Sequence, residues 1–211
     1  MRAAEGRHGA RKVASYERDR DQYSLECLET RAELDGFEHE WRRLEQQCAE
    51  PFIAFQTADW CLTWIRSHLH NTMARPAEPL VFVLRKNGDA VLVWPTMKVR
   101  SRIGMRLLVS LTSPLSQYSN VVVDRDVVSS KLASRALGDA IKFSKVDAAA
   151  LDAIPEGSLL QSLTRKRGIP EIFHQESAIL DIGSQEDMTS YLAALPKKTR
   201  RQRNQRRNQQ F

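Results

Sequence analysis

Leu80-Val81-Phe82-Val83-Leu84-Arg85, then Lys86-Asn87-Gly88-Asp89, then Ala90-Val91-Leu92-Val93-Trp94-Pro95-Thr96-Met97-Lys98-Val99-Arg100 stand in the middle of the chain. Two runs rich in Val, Leu and aromatic residues flank an Asn-Gly pair, whose tolerance of positive φ suits a tight hairpin turn. The first run is almost wholly apolar, so both faces of that strand are expected to meet core, inside a sheet. Pro95 has no N–H to give, which predicts a bend or a sheet edge near that point. The stretch therefore predicts the central hairpin, residues 80–98, of a sheet on which the other elements pack. It carries no chemistry by itself.

N-terminal to the hairpin, Tyr23 to Thr30 roughly alternates and predicts a first strand. Ala32 to Cys48 carries Leu34, Phe37, Trp41, Leu44 and Cys48 at spacings of three and four, the apolar stripe of an amphipathic helix. After Pro51-Phe52, Thr57 is placed to cap a second helix bearing Trp60, Leu62, Trp64, Ile65 and Leu69. Trp41, Leu44, Trp60 and Trp64 are all expected in the core. Residues 70–79, with two prolines, predict a loop.

C-terminal to the hairpin, Leu107-Leu108-Val109 is a short apolar run, and residues 113–120 form a polar loop before the strand Val121-Val122-Val123. Helical spacing runs from Asp126 to Phe143, a strand is expected over Val146–Leu151, and a turn at Ile154-Pro155 precedes a helix from Glu156 to Lys166. A last strand is expected over Ser177–Ile182, and a helix from Gln185 to at least residue 200. Strands and helices interleave, which predicts an α/β or α+β class built on a mixed sheet. Residues 1–22, charged and without a period, are expected to be a disordered leader. The domain proper is expected over 23–196, with a basic helical tail over 197–211.

The 211 residues are 42% hydrophobic and 27% charged, enough apolar material for a core. No apolar run reaches the length of a membrane span and no signal segment follows Met1, so a cytoplasmic protein without a membrane partner is expected. Cys27, Cys48 and Cys61 are odd in number and widely spaced, which predicts reduced thiols and no zinc site. The net charge of +6 is unevenly spread: residues 197–211 hold seven Lys or Arg and no acid, whereas residues 25–196 sum to −3.

Several pieces together resemble a known family. They are the Trp41-x-x-Leu44 helix, Pro51-Phe52, Gln56, Trp60 and Trp64; then Trp94-Pro95, the Tyr118 loop, and an Asp147–Leu151 strand closed by Ile154-Pro155-Glu156-Gly157-Ser158; and finally Lys197-x-x-Arg200-Arg201-x-Arg203. The combination is similar to the N-terminal half of the CelD-like and BioF2-like acetyltransferases, relatives of the FemAB peptidyltransferases within the GNAT superfamily. The resemblance implies a GNAT-like mixed, largely antiparallel sheet flanked by helices, and N-acyl transfer from acetyl-CoA or another acyl-CoA to a small-molecule or glycan amine. It also implies a second GNAT-like domain after the basic helix. Without that partner domain the chain is expected to be weak or inactive.

GNAT chemistry needs backbone amides at a strand-to-helix turn for the CoA pyrophosphate, a splayed strand's N–H for the thioester carbonyl, and a base for the amine. Arg135-Ala136-Leu137-Gly138-Asp139-Ala140 matches the phosphate-cradling spacing, which makes Arg135, Gly138 and Ala140 cofactor candidates. The match falls where helical spacing is already running, and a helix interior has its N–H groups occupied. Tyr118 is the catalytic candidate, as a donor or late acid; the plainer reading is a loop tyrosine capping the sheet. His68 and His70 lie two apart at a helix end without nearby ligands, so no metal is expected.

The tail residues Lys197, Lys198, Arg200, Arg201 and Arg203 repel one another and want an anionic partner or full solvation. CoA phosphates, nucleic acid and carboxylates of a second domain all fit. Two functions therefore stand at this point: the acyltransferase, and a non-catalytic module that binds nucleic acid or another polyanion through the tail.

Overall fold

A computed structural model describes residues 9–18, 21–68, 77–166, 188–199 and 201. The chain runs through β1 (Arg11–Arg18), β2 (Asp21–Leu28), α1 (Arg31–Gln47), a 3-10 turn at Ala54–Gln56 and α2 (Ala58–His68). It continues with β3 (Ala77–Lys86), β4 (Asp89–Arg100), β5 (Arg106–Ser110), β6 (Val122–Val123), α3 (Ser130–Ser144), β7 (Ala148–Ala149), α4 (Leu159–Lys166) and α5 (Met188–Ala194). Two compact units divide it, Met1–Pro170 with every strand among the described residues, and Glu171–Phe211 with α5.

The hairpin forms as its sequence predicts. Asn87 and Gly88 take φ of 50° and 98°, and Leu80–Leu84 are buried. The sheet order is β1-β2-β3-β4-β5-β7, with β6 also pairing to β4. All pairings are antiparallel except β5 with β7, so the mixed, largely antiparallel sheet expected from the sequence is present. α1 and α2 cover one face through Leu34, Phe37, Trp41, Leu44, Leu62 and Ile65, against Val81, Val83 and Val93. α3 and α4 cover the other, where Leu132, Ala136, Leu160 and Leu163 meet Leu25, Phe82, Leu84 and Trp94. Two-sided burial explains the continuous apolar run of β3.

Local signals set the helix ends. Thr30 and Glu33 form a reciprocal capping box at the start of α1, each side chain accepting the other's backbone N–H. Ser129 caps α3, its Oγ accepting from Leu132 N. Lys145, in the left-handed region at φ 50°, ends it.

Several expectations are corrected. The disordered leader over 1–22 is overturned for residues 11–18, which form edge strand β1, and for 21–22, which open β2. Val13 is a bulge between Lys12 and Ala14, which breaks the period of two that would have marked the strand. Pro95 lies on no edge, since β4 pairs on both sides. Leu111 N donates to Pro95 O, so the donorless side of the proline faces the point where the partner of β4 changes from β6 to β5. No ladder bond is forfeited there. Trp60 is 39% exposed rather than core. The helix expected from Gln185 to at least residue 200 is broken at Leu195-Pro196, because a proline drives the residue before it out of the α region. Residues 197–199 and 201 are helical beyond the break. Leu69 and the strand expected over Ser177–Ile182 lie outside the described residues.

Among the described residues, no helix is long and apolar enough to cross a membrane. The three cysteines are free. Burial pushes the Cys27 and Cys61 thiols well above their ordinary range, which leaves them unreactive.

Candidate functional site

A sheet that splits along one strand makes a place for a ligand, and β4 splits at Pro95. Its first half pairs with β6 at Leu92 and Val93; its second half pairs with β5 from Thr96 onward. β5 and β7 then run parallel, paired at Leu107–Ala148 and Leu108–Ala149. β7 ends at Ala149 whereas β5 continues to Ser110. In a mixed sheet, the carboxyl ends of diverging parallel strands are where a ligand's backbone contacts would fall.

Here the chain's own loop takes that position. Ser119 N donates to Ala153 O at 3.0 Å. Ser110 Oγ and Ser119 Oγ are 2.6 Å apart and buried, and Ser119 Oγ lies 3.5 Å from Asp152 Oδ1. The next residue is fixed as firmly. Asn120 Nδ2 donates to Glu50 Oε2 and to Pro51 O, while Asn120 Oδ1 accepts from Val121 N.

Glu50 holds this region together. Its side chain has no exposed surface, and it accepts from Arg125 Nε, from Asn120 and from Leu159 N at 3.0 Å. A buried carboxylate is tolerable only when its lone pairs are matched this fully. Leu159 opens α4, so the carboxylate also meets one of that helix's spare N–H groups. One acid thus ties the end of α1, the β6 region and the start of α4 together. Nothing in Cys48-Ala49-Glu50-Pro51 marks this burial, because Arg125 and Leu159 lie far along the chain.

Tyr118 is half-buried. Its ring packs on Phe52 at 4.9 Å and Phe55 at 6.2 Å between centroids, and its carbonyl accepts from Gln56 Nε2 at 2.7 Å. Gln56 in turn accepts, at its carbonyl, the Trp41 Nε1–H at 3.0 Å. Trp60 lies edge-on to Phe55 at 5.1 Å. Trp41, Phe52, Gln56, Trp60 and Tyr118, scattered in sequence, therefore form one connected group.

The three cofactor candidates sit inside α3. Gly138 and Ala140 are buried against the sheet, and the guanidinium of Arg135 stacks over the Tyr16 ring at 4.8 Å. The Tyr16 hydroxyl donates to Asp139 Oδ2 at 2.9 Å; burial first, then this bond, raises its pKa strongly. Arg135 and Asp139 thus latch α3 to β1, a structural task. Of the tail candidates, Lys197, Lys198 and Arg201 are exposed, and Arg200 and Arg203 lie outside the described residues. His68 stacks on Trp64, His70 lies outside the described residues, and among the described residues no cluster of metal-ligating side chains occurs.

The strand-to-helix turn that precedes α3 is bonded largely within itself. Asp124 Oδ1 already accepts from Asp126 N and Val127 N, Asp124 O from Val128 N, and Ser129 Oγ from Leu132 N. Four amides of the turn are thus bonded within it, two of them to a carboxylate. Residues 121–137 contain no glycine to bring the backbone close to phosphate. Ser119 bridges the end of β5, at Ser110, to the segment after β7, at Asp152 and Ala153.

No family model matches the chain, and no curated protein matches it. Among solved structures it is similar to a ribosomal-protein-alanine N-acetyltransferase from Brucella melitensis biovar Abortus 2308, at 15% identity and a TM-score of 0.46, over 75% of this chain and 99% of that one. It is also similar to a glucosamine-6-phosphate N-acetyltransferase from Arabidopsis thaliana, at 17% identity and a TM-score of 0.41, again over 75% of this chain and 99% of the other.

Proposed function

We propose that residues 23–196 act as the donor-free, GNAT-like half of an N-acyltransferase of the CelD or BioF2 kind, related to FemAB, which depends on a further domain to bind acyl-CoA. One observation carries this reading. Trp41, Phe52, Gln56 and Tyr118, the pieces that resemble the family, are joined to each other by two hydrogen bonds and a ring contact, as residues with a shared task would be. The split of β4 and the parallel β5–β7 pair support a GNAT-like path.

The division of labour rests on the turn before α3. Asp124 takes two of the amides there and Ser129 a third, and Ser119 bridges the end of β5 to the segment after β7, which supports a donor seat outside this unit. Acyl transfer works by holding amine and thioester together in a water-poor cleft, which half a cleft cannot do. This unit's own residues contribute packing and orientation: Glu50 fixes the 119–125 segment, and Gln56 fixes the Tyr118 loop. The basic tail, 197–211, then serves as the connection to the donor-binding domain.

Calorimetry of the 211-residue chain with acetyl-CoA, beside an amine-acetylation assay, tests the reading. Neither binding nor turnover is expected until a donor-binding domain is supplied. Micromolar binding with turnover by this chain alone would overturn it. Tail-dependent retention on heparin with no response to any added acyltransferase domain would replace it with the polyanion-binding reading.

A further inference from the structure

Phe52, Phe55, Trp60 and Tyr118 meet outside the core. Phe52 lies over Tyr118 with 4.9 Å between centroids and 30° between planes, Phe55 is 6.2 Å from Tyr118, and Trp60 stands edge-on to Phe55 at 5.1 Å. The small angle between Phe52 and Tyr118 makes a ledge, not the box of facing rings that encloses a cation. Phe52 and Trp60 are 38% and 39% exposed. Phe52 also holds φ at 58°, a left-handed backbone unfavourable for phenylalanine, yet the ring it positions is outside the core.

Two polar atoms beside this ledge lack partners. Gln56 is 2% exposed; its Nε2 donates to Tyr118 O at 2.7 Å, but Oε1 on the same carboxamide accepts nothing. Ser116 Oγ, two residues before Tyr118, is also buried without a hydrogen bond. Buried polar atoms are nearly always matched, and the neighbouring Glu50 shows how fully this region matches others. The seam between residues 51–57 and 113–118 is therefore where hydrogen bonding is unfinished.

Neither segment of the seam holds a charged residue. A phosphate or carboxylate would meet no cation there, and an ammonium no counter-charge. The seam suits a neutral ligand with a flat C–H face for the rings and polar groups that both give and accept hydrogen bonds. Gln56 Oε1 needs a donor, the Trp60 indole N–H an acceptor, and Ser116 Oγ and the Tyr118 phenol take either. A sugar ring with equatorial hydroxyls meets all of these demands, because each hydroxyl does both and its ring faces are C–H.

We infer that this ledge is a subsite for a neutral saccharide. Phe52 and Trp60 stack on the faces of sugar rings, and a slight parting of the two segments lets hydroxyls reach Gln56 Oε1 and Ser116 Oγ. The inference deepens the acyltransferase reading, on which it rests only for what the sugar is for; binding itself needs no acyl donor.

Calorimetry of the 211-residue chain with linear hexasaccharides of β-linked glucose and of β-linked N-acetylglucosamine, beside adenosine, tests this without any acyl-CoA present. At least one sugar is expected to bind with a dissociation constant of about 1 mM or below. Trp60→Ala should weaken that binding about tenfold. Ser116→Ala, which removes a hydroxyl the fold does not bond, should weaken it about threefold. Both variants should unfold at a midpoint close to the parent's. The sugar should also shield Trp60 fluorescence from acrylamide, a signal specific to this ring because Trp41, Trp64 and Trp94 are buried. Three results would overturn the inference. The first is no binding of either sugar at about 10 mM, which self-association lost on Trp60→Ala would explain as a contact between copies. The others are binding indifferent to both substitutions, and adenosine bound more tightly than either sugar. Each leaves the acetyl-CoA titration untouched, so the two readings fail separately.

Discussion

The two halves of the sheet are held together by different physics. From β1 to β4 the strands are eight to twelve residues long, and the two inner ones, β3 and β4, are apolar on both faces and close through a local turn. From β5 to β7 the strands shrink to five, two and two residues, and the region is fixed by single polar side chains: Glu50, Asn120, Ser119 and Asp147. The first half is a scaffold that many apolar sequences could build. The second is specified group by group.

Four substitutions sharpen or break that contrast. Trp94→Ala removes a ring 2% exposed between β3 and α3, and should cost about 3–5 kcal/mol in denaturant unfolding. A cost near zero would mean the scaffold half is not packed as described. Glu50→Ala should cost about 1–3 kcal/mol, because it leaves Leu159 N buried without an acceptor while Arg125 can turn to water. Its effect should be concentrated in the second half, seen as faster amide exchange across residues 119–125 and the first turn of α4 with β3 and β4 unchanged. Uniform exchange would dissolve the distinction between the halves.

Trp60→Ala tests the surface that lies beside the split. With the ring 39% exposed, the loss should stay below about 1 kcal/mol. A loss as large as that of Trp94 would return Trp60 to the core. The smallest effect is electrostatic. Bonds from the Arg106 side chain, then from Arg106 N, hold the Asp147 carboxyl down at about 2. A depressed folded-state pKa contributes stability that is present above the unfolded value near 4 and lost as pH falls toward 2. The stability difference between the parent and Asp147→Asn should therefore shrink across that window. A difference unchanged from pH 5 to pH 2 would mean the Asp147–Arg106 contact does not tie β5 to β7.

How legible each part was follows from where its determinants lie. The β3–β4 hairpin, the stripe of α1 and the leucines of α4 could be read because period and turn chemistry are carried by neighbours in sequence. β1 could not, because it is a charged edge strand whose period the Val13 bulge interrupts. Trp60 misled because it lies four residues from Trp64 on the same helix. A turn of 3.6 residues sets the two about 40° apart, and the buried arc of Ala58, Cys61, Leu62, Trp64 and Ile65 ends between them.

By itself the sequence determined the fold class, the central hairpin and most helix positions, since these rest on interactions within a few residues. It also held the pieces of the family resemblance, but not the fact that Trp41, Gln56 and Tyr118 touch. Only the tertiary structure decided that Glu50 is buried, that Ser119 bridges the end of β5 to the segment after β7, that Asp124 takes two of the amides before α3, and that Ile103 is exposed. Each of these depends on groups brought together across long stretches of chain, or on what the fold fails to cover, and neither leaves a mark in local pattern.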